Sequence, residues 1–238
     1  YDEDNRVLSV DWECGLTSKR IENRYDALGR RVSRKVDGVE TRYVLDIQGG
    51  MERILCDTTA GGQVTATYIH GNDLAYRVAS DNSYVCYHAD AQANIIALTD
   101  AGGTNVAQYA YTPYGRSLGV SEAGGNPYRF VGSQGVMEEL PNLYFMRARY
   151  YSAEAGVFLS TDPVKHIGPG WKPVAYGYTF DSPIMRIDPD GEMPFATAVG
   201  IYGFVNDTYK VLTGETTLTK AVSKKIMSCI LTNTSPVC

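Results

Sequence analysis

Metal-binding and disulfide signatures are sparse in this chain. Its 238 residues include only three histidines and five cysteines, and no Cys-x-x-Cys pair occurs. His70, His88 and His166 are widely separated, so the sequence indicates no metal site, and no cofactor is expected. Five scattered thiols argue against a dense disulfide framework. Unpaired cysteines are expected, with a Cys229–Cys238 bridge as the alternative in an oxidising compartment.

Strong positive charge and long apolar runs are also lacking. The net charge is −5, so the basic face that nucleic-acid binding needs is not indicated. The apolar run at 196–205 is about half the length that spans a bilayer, and stable membrane insertion is not expected. The first residues are neither basic nor apolar, so no signal peptide is predicted. Because the sequence begins within a repeat pattern, we expect the C-terminal part of a longer chain.

Tyrosine and glycine, in contrast, are abundant. The 18 Tyr and 24 Gly against 6 Phe and 2 Trp favour strands and tight turns over helices. Residues 1–7 and 25–32 share a Tyr-Asp-x-x-(Asn/Gly)-Arg frame followed by valine, and 111–116 form a looser copy. Segments that alternate apolar and polar residues, such as 40–45 and 63–69, lie between these copies. Alternation bounded by turn residues predicts β-hairpins.

The residue types of this frame explain how such a repeat folds. Asp or Asn begins a turn, Gly adopts positive φ, and Arg supplies a forked donor for a carboxylate or carbonyl. One hairpin cannot bury its own apolar face, so successive hairpins must stack into a continuous sheet. The predicted fold class is therefore all-β, built from stacked hairpins.

The repeats and the stretch that follows them resemble a known family. The Tyr-Asp frames resemble YD repeats, and the segments 87–116, 127–132 and 143–151 resemble the last repeats of Rhs proteins. Residues 149–193 contain Arg-Tyr-Tyr, Asp-Pro, Tyr-Gly-Tyr and Asp-Pro-Asp-Gly in the order typical of the Rhs core, which also occurs in the C components of Tc toxins. The implied domains are YD repeats at 1–130, the Rhs-associated core at 131–193, and a variable tail at 194–238.

This resemblance implies an architecture and a biological role. YD repeats of this family wind as a spiralling sheet into a hollow shell, and the C-terminal segment, often a toxin, is held inside after being cut from the shell. The implied partners are the remainder of the shell or a Tc B-type component, with the chain's own C-terminal segment as cargo. Secretion, or delivery by a bacterial secretion system, follows from the same resemblance.

Self-cleavage needs two carboxyl groups beside one water, one ionised as the base and one protonated as the acid. The two Asp-Pro steps supply Asp162 and Asp188, and a hairpin over 173–183 is expected to bring them together. By resemblance Arg149 assists, orienting a carboxylate or stabilising the oxyanion. The Glu192–Met193 and Met193–Pro194 bonds are the candidate cleavage sites. A single-turnover aspartyl autoprotease is thus the hypothesis.

Structural interpretations of the same residues remain open. Arg149 and an aspartate can simply hold a hairpin together, and Asp-Pro-Asp-Gly is a favourable turn sequence. Lys165 stands where the family motif has Gly, and Pro194 follows the candidate bond. These departures favour the alternative, a non-catalytic structural or cell-surface interaction module.

The tail differs in composition from the rest of the chain. Residues 218–231 have helical spacing with lysines on the polar side, so short helices are predicted. The tail carries a positive balance against a negative remainder, which favours its retention after a cut. A truncated toxin, a linker, a membrane-active peptide and a docking tail are all compatible with this composition.

Overall fold

The computed structural model describes residues 1–48, 50–122, 125–163, 175–192 and 195–196. Within these ranges the fold is antiparallel β-structure without an α-helix, which confirms the all-β prediction. None of the described residues forms a helix long and apolar enough to cross a bilayer. The predicted helices at the tail and the predicted Cys229–Cys238 alternative lie outside the described residues.

Most of the strands belong to one meandering sheet in which each strand pairs with its neighbours in sequence. In order these strands are Ser9–Cys14 (β1), Thr17–Tyr25 (β2), Arg31–Val36 (β3), Val39–Asp46 (β4), Arg53–Thr59 (β5), Val64–His70 (β6), Leu74–Ala79 (β7), Tyr84–Ala89 (β8), Ile95–Asp100 (β9), Asn105–Tyr111 (β10) and Ser117–Glu122 (β11). We call it the repeat sheet.

The turns of the repeat sheet explain the Tyr-Asp frame. Asp26 accepts the backbone N–H groups of Leu28 and Arg30 through Oδ1, at 2.9 and 3.0 Å, and the Arg30 Nε through Oδ2 at 2.7 Å. Asp2 makes the same bonds within the first frame. Each aspartate therefore closes its own turn, and the arginine of each frame pairs with the aspartate of that frame.

A second, smaller sheet follows and packs against the first. It contains Met137–Leu140 (β12), Leu143–Met146 (β13), Arg149–Ser152 (β14) and Val157–Phe158 (β15). Arg186–Ile187 (β16) pairs with Phe195–Ala196 (β17), and 3₁₀ turns occur at Gly132–Gln134 and Thr179–Asp181. We call β12–β15 the core sheet, and its strands carry the candidate site.

Tyrosine rings fill the interior between these layers. Tyr68 and Tyr128 meet edge to face, with ring centroids 5.2 Å apart, under the repeat sheet. Beneath the core sheet, the ring centroids of Tyr151 and Tyr178 lie 4.4 Å apart, and the Tyr151 ring also contacts Phe130. Such ring pairs contribute about 0.5–1.5 kcal/mol each beyond burial of area, so they hold β14 and the segment around residue 178 in place.

Candidate functional site

Arg149 is the first residue of β14. It follows a two-residue turn that is closed by the pairing of Met146 with Arg149. Its side chain is only 2% exposed, and its guanidinium carbon lies 3.6 Å from the centroid of the Phe158 ring. A buried cation is destabilising unless it is paired. The groups that surround Arg149 therefore define the site.

Two carboxylates meet at a single nitrogen of this arginine. Arg149 Nη2 lies 3.3 Å from Asp162 Oδ2 and 3.4 Å from Asp188 Oδ2. The structure thus brings together all three side chains chosen from the sequence, although 26 positions separate the two aspartates. Both carboxyl groups therefore share one donor, Arg149 Nη2.

The route that brings Asp188 to this point differs from the predicted one. Of the stretch 173–183 the structure describes 175–183, which forms a 3₁₀ turn and a single bridge from Gly177 to Val157 rather than a hairpin. Thr179, Phe180 and Asp181 have φ of 53°, 53° and 57°. This left-handed run folds the chain back, and Tyr178 enters the core beside Tyr151.

The Asp-Pro-Asp-Gly turn docks onto the β13–β14 turn through its backbone. Ala148 N–H donates to the Asp190 carbonyl at 3.1 Å, and Arg149 Nε donates to the Gly191 carbonyl. Gly191 has φ of 69°, and a Cβ built there would lie 2.5 Å from the Met146 carbonyl oxygen. Only glycine fits this close approach without movement of the backbone. The Asp-Pro-Asp-Gly turn therefore packs directly against the turn that precedes Arg149.

Asp162 is positioned by the strand that precedes it. Leu159 N–H donates to the Tyr150 carbonyl at 2.8 Å, continuing the pairing of β14 with β15. Asp162 N–H then donates to the Ala175 carbonyl at 2.9 Å. Its side chain is 21% exposed, so one carboxyl of the pair faces solvent whereas the other is buried.

Burial separates the electrostatics of the two aspartates. Asp188 is 1% exposed, and this burial, reinforced by the neighbouring Asp190 carboxyl, raises the pKa of Asp188 to about 8 despite the Arg149 cation. Burial also lowers the pKa of Arg149. Among the described residues no hydrogen-bond partner contacts Asp188 Oδ1. Asp188 is thus set up to hold a proton near neutral pH.

The candidate cleavage residues are only partly described. Glu192 is exposed, and its N–H donates to Asp190 Oδ1 at 3.1 Å. Met193 and Pro194 lie outside the described residues, as does Lys165. Glu192 directly follows Gly191, whose carbonyl accepts a hydrogen bond from Arg149 Nε.

The sequence reasoning did not identify three further groups at the site. Asp190 acts on the pKa of Asp188, Gly191 permits the close docking, and Arg147 donates to the Pro189 carbonyl. The turn sequence itself predicts the positive φ of Gly191, but not its close docking. The other two depend on contacts between segments distant in sequence. Elsewhere in the described ranges, no group of three or more His, Cys, Asp or Glu side chains is arranged to hold a metal ion.

Comparison with known proteins places this fold. No family model matches the chain. The tRNA nuclease WapA of Bacillus subtilis (strain 168) is 35% identical over 174 residues, which cover 71% of this chain and 7% of WapA. Salivary gland surface protein 1 of Aedes aegypti is 26% identical over 218 residues, covering 83% of this chain and 6% of that protein. The chain therefore spans a small fraction of the length of these curated relatives.

A solved structure shares the architecture. The crystal structure of TcdB2–TccC3 superimposes with a TM-score of 0.58 at 18% identity, covering 80% of this chain and 10% of that chain. The likeness to TcdB2–TccC3 is one of fold. The chain belongs to the Rhs/YD-repeat proteins, with C-terminal repeats followed by an Rhs-associated core.

Proposed function

We propose that this chain is the closing part of an Rhs-type shell that encloses a C-terminal toxin segment, and that it cuts its own backbone near Met193. The observation that carries the proposal is the meeting of Asp162 and Asp188 at Arg149 Nη2, at 3.3 and 3.4 Å. One carboxylate would be enough to pair with Arg149 in a purely structural role. The second carboxyl group, that of Asp188, is buried beside Asp190. This burial costs stability, but it suits a group that acts as an acid catalyst.

The proposed reaction is hydrolysis by an aspartate pair. Asp162 takes a proton from a water molecule, whose oxygen forms a bond to the carbonyl carbon of Glu192 or Met193. Asp188 gives its proton to the nitrogen of the next residue as the C–N bond breaks. Arg149 holds both carboxyl groups, and its Nε holds the Gly191 carbonyl beside the reacting peptide. The Glu192–Met193 and Met193–Pro194 bonds both remain candidates.

Partners and location follow from the same proposal. The similarity to TcdB2–TccC3 supports the remainder of an Rhs shell, or a Tc B-type component, as the partner. The chain's own segment after residue 193 is the proposed cargo. Secretion, or delivery by a bacterial secretion system, is proposed from membership of the Rhs/YD-repeat proteins.

A non-catalytic cell-surface module is the second candidate. The observation in its favour is the similarity to a salivary gland surface protein, which covers 83% of this chain. In that case Arg149, Asp162 and Asp188 would only hold the core sheet to the segment that carries residue 188. The carboxylate pair would then have no chemical task.

The test is the intact mass of the purified whole chain. The parent is expected to yield two fragments that separate near residue 193, whereas Asp162→Asn and Asp188→Asn stay whole. Asp11→Asn is the matched control, since Asp11 is an exposed carboxylate on β1 paired with Arg20, and it should be cut like the parent. A parent that stays whole from about pH 5 to about pH 9 would favour the non-catalytic module.

A further inference from the structure

Arg147 occupies a backbone conformation that disfavours arginine. It is the first residue of the two-residue turn between β13 and β14, and its φ is 51°. Glycine or asparagine suits such a left-handed position better, and other L-residues pay on the order of 1 kcal/mol there. Strain of this kind persists where the surrounding structure requires the side chain. The contacts of the Arg147 side chain are therefore informative.

The guanidinium group of Arg147 joins three segments that are far apart in sequence. Nη2 donates to the carbonyls of Glu52 and Gln134, at 3.0 and 2.8 Å, and Nη1 donates to the carbonyl of Pro189. Nε lies 3.4 Å from Glu52 Oε1. The repeat sheet, the 3₁₀ turn at Gly132–Gln134 and the Asp-Pro-Asp-Gly turn thus meet at one side chain.

Space for this group is provided by Gly135. A Cβ built on Gly135 would lie 2.8 Å from Arg147 Nη2, and Gly135 has φ of 87°. The guanidinium is largely buried, and this burial lowers the pKa of Arg147. A buried, strained arginine in a fitted space is a specific arrangement, because arginine's planar fork can satisfy several carbonyls at once.

The contact with Pro189 bears directly on Asp188. Proline has a fixed φ, and its ring restricts the preceding residue to extended conformations. Holding the Pro189 carbonyl therefore limits the orientations of Asp188 relative to Arg149, which begins β14 two residues after Arg147. Small displacements of reacting groups cost large factors in rate.

We propose that Arg147 is a positioning residue, which orients Asp188 toward Arg149. Through Arg147, the assembly of the carboxylate pair also depends on docking of the loop between β4 and β5, which contains Glu52. This inference rests on the proposed self-cleavage. It goes beyond that function by assigning a coupling between the folded repeats and the site. Arg147 itself does not touch the reacting atoms.

The test compares Arg147→Lys with Arg42→Lys in the whole chain. Arg42 is an exposed arginine on β4, so its replacement controls for the chemical change alone. Arg147→Lys keeps the cation but replaces the planar fork of the guanidinium with a single donor nitrogen, which does not match the positions of the three carbonyls. Its self-cleavage should slow by at least about tenfold. Glu52→Gln should slow cleavage in the same direction by a smaller factor. Urea unfolding of each variant measures whether it is folded.

Two further readouts separate positioning from bulk stability. Arg147→Gly suits the left-handed turn and leaves a space for free guanidinium, which should restore part of its cleavage rate. The pKa of Asp188, followed by carboxyl NMR in chains kept whole by Asp162→Asn, should fall in Arg147→Lys because a looser turn admits water. Neither effect is expected from a residue that only contributes stability.

The outcomes distinguish this inference from the proposed function. Two results together would overturn both the self-cleavage and the positioning role: the parent chain is never cut, and Arg147→Lys leaves the pKa of Asp188 unchanged. A parent that is cut, together with Arg147→Lys cut at the same rate and with the same Asp188 pKa, overturns only the positioning role. Failure of Arg147→Lys and Arg147→Gly to fold would make Arg147 a purely structural residue.

Discussion

Arg31 of the repeat sheet and Glu139 of the core sheet form a buried ion pair, with Arg31 Nη1 2.7 Å from Glu139 Oε1. The side chains are 2% and 0% exposed, and Arg34 Nη1 reaches the other carboxylate oxygen at 2.9 Å. Arg31 also lies over the Phe145 ring, 3.6 Å from its centroid. This pair locks the first hairpins of the repeat sheet to the sheet that carries Arg149.

Removal of Glu139 should destabilise the protein strongly. In Glu139→Ala two guanidinium groups lose their carboxylate, and Arg31 remains buried without it. Breaking a buried pair in this way costs about 3–5 kcal/mol, so the free energy of unfolding measured in urea should fall by that amount. Glu40→Ala is the control, because Glu40 pairs with the half-exposed Arg42 and exposed ion pairs contribute little to stability. Equal losses in the two variants would contradict the structural role of the buried pair.

Self-cleavage should have an alkaline limit set by Asp188. The acid role requires a protonated carboxyl, and burial raises the pKa of Asp188 to about 8. The rate should therefore fall as the pH rises through about 8, roughly tenfold for each further pH unit. A time course of intact mass across this range measures it. A rate that keeps rising above this pH would assign the proton to another group.

The same carboxyl predicts an effect on stability with a defined sign. The folded-state pKa of Asp188 lies above the ordinary value of 3.8, so its contribution is fully present below about pH 4 and is lost as the pH rises toward 8. The comparison is made in chains kept whole by Asp162→Asn. There Asp188→Asn cannot ionise, and at pH 7 it should raise the free energy of unfolding by on the order of a few kcal/mol. Asp11→Asn, at an exposed site, should leave it nearly unchanged, and the chains with Asp188 and with Asn at 188 should converge at pH 4 in urea titrations.

Local sequence rules were sufficient for the fold. The Tyr-Asp-x-x-Gly-Arg frame predicted turns that Asp26 closes with its own side chain, and alternation predicted the strands of a continuous sheet. The Tyr25 hydroxyl donates to the Val7 carbonyl at 3.0 Å, in keeping with a half-buried ring whose polar end finds a neighbour. The bonds within the frame join residues two and four positions apart, so residue type determines them. The Tyr25–Val7 bond spans 18 positions and depends on the pairing of neighbouring strands that alternation predicts.

The candidate site depended on more than local pattern. Asp-Pro-Asp-Gly predicted a turn, and the structure has that turn, but its docking onto β13–β14 requires tertiary contacts. The hairpin expected over 173–183 was wrong in its described part, where the chain forms a 3₁₀ turn and Tyr178 packs beside Tyr151. The raised pKa of Asp188 arises from burial and from the neighbouring Asp190 carboxyl, against the opposing effect of the Arg149 cation. No sequence spacing reveals this burial.

Substitution of Gly191 tests whether docking of the Asp-Pro-Asp-Gly turn positions Asp188 beside Arg149. In Gly191→Ala the new methyl group would meet the Met146 carbonyl oxygen at 2.5 Å, so the turn must move and carry Asp188 away from Arg149. Self-cleavage should drop by about 100-fold or more, since misplacement on the ångström scale has that effect. Gly103→Ala is the matched control, with φ of 78° and no atom within 4 Å of its Cβ, and it should cost only about 1–2 kcal/mol with cleavage intact. Unchanged cleavage in Gly191→Ala would show that the reaction depends neither on this turn nor on Asp188.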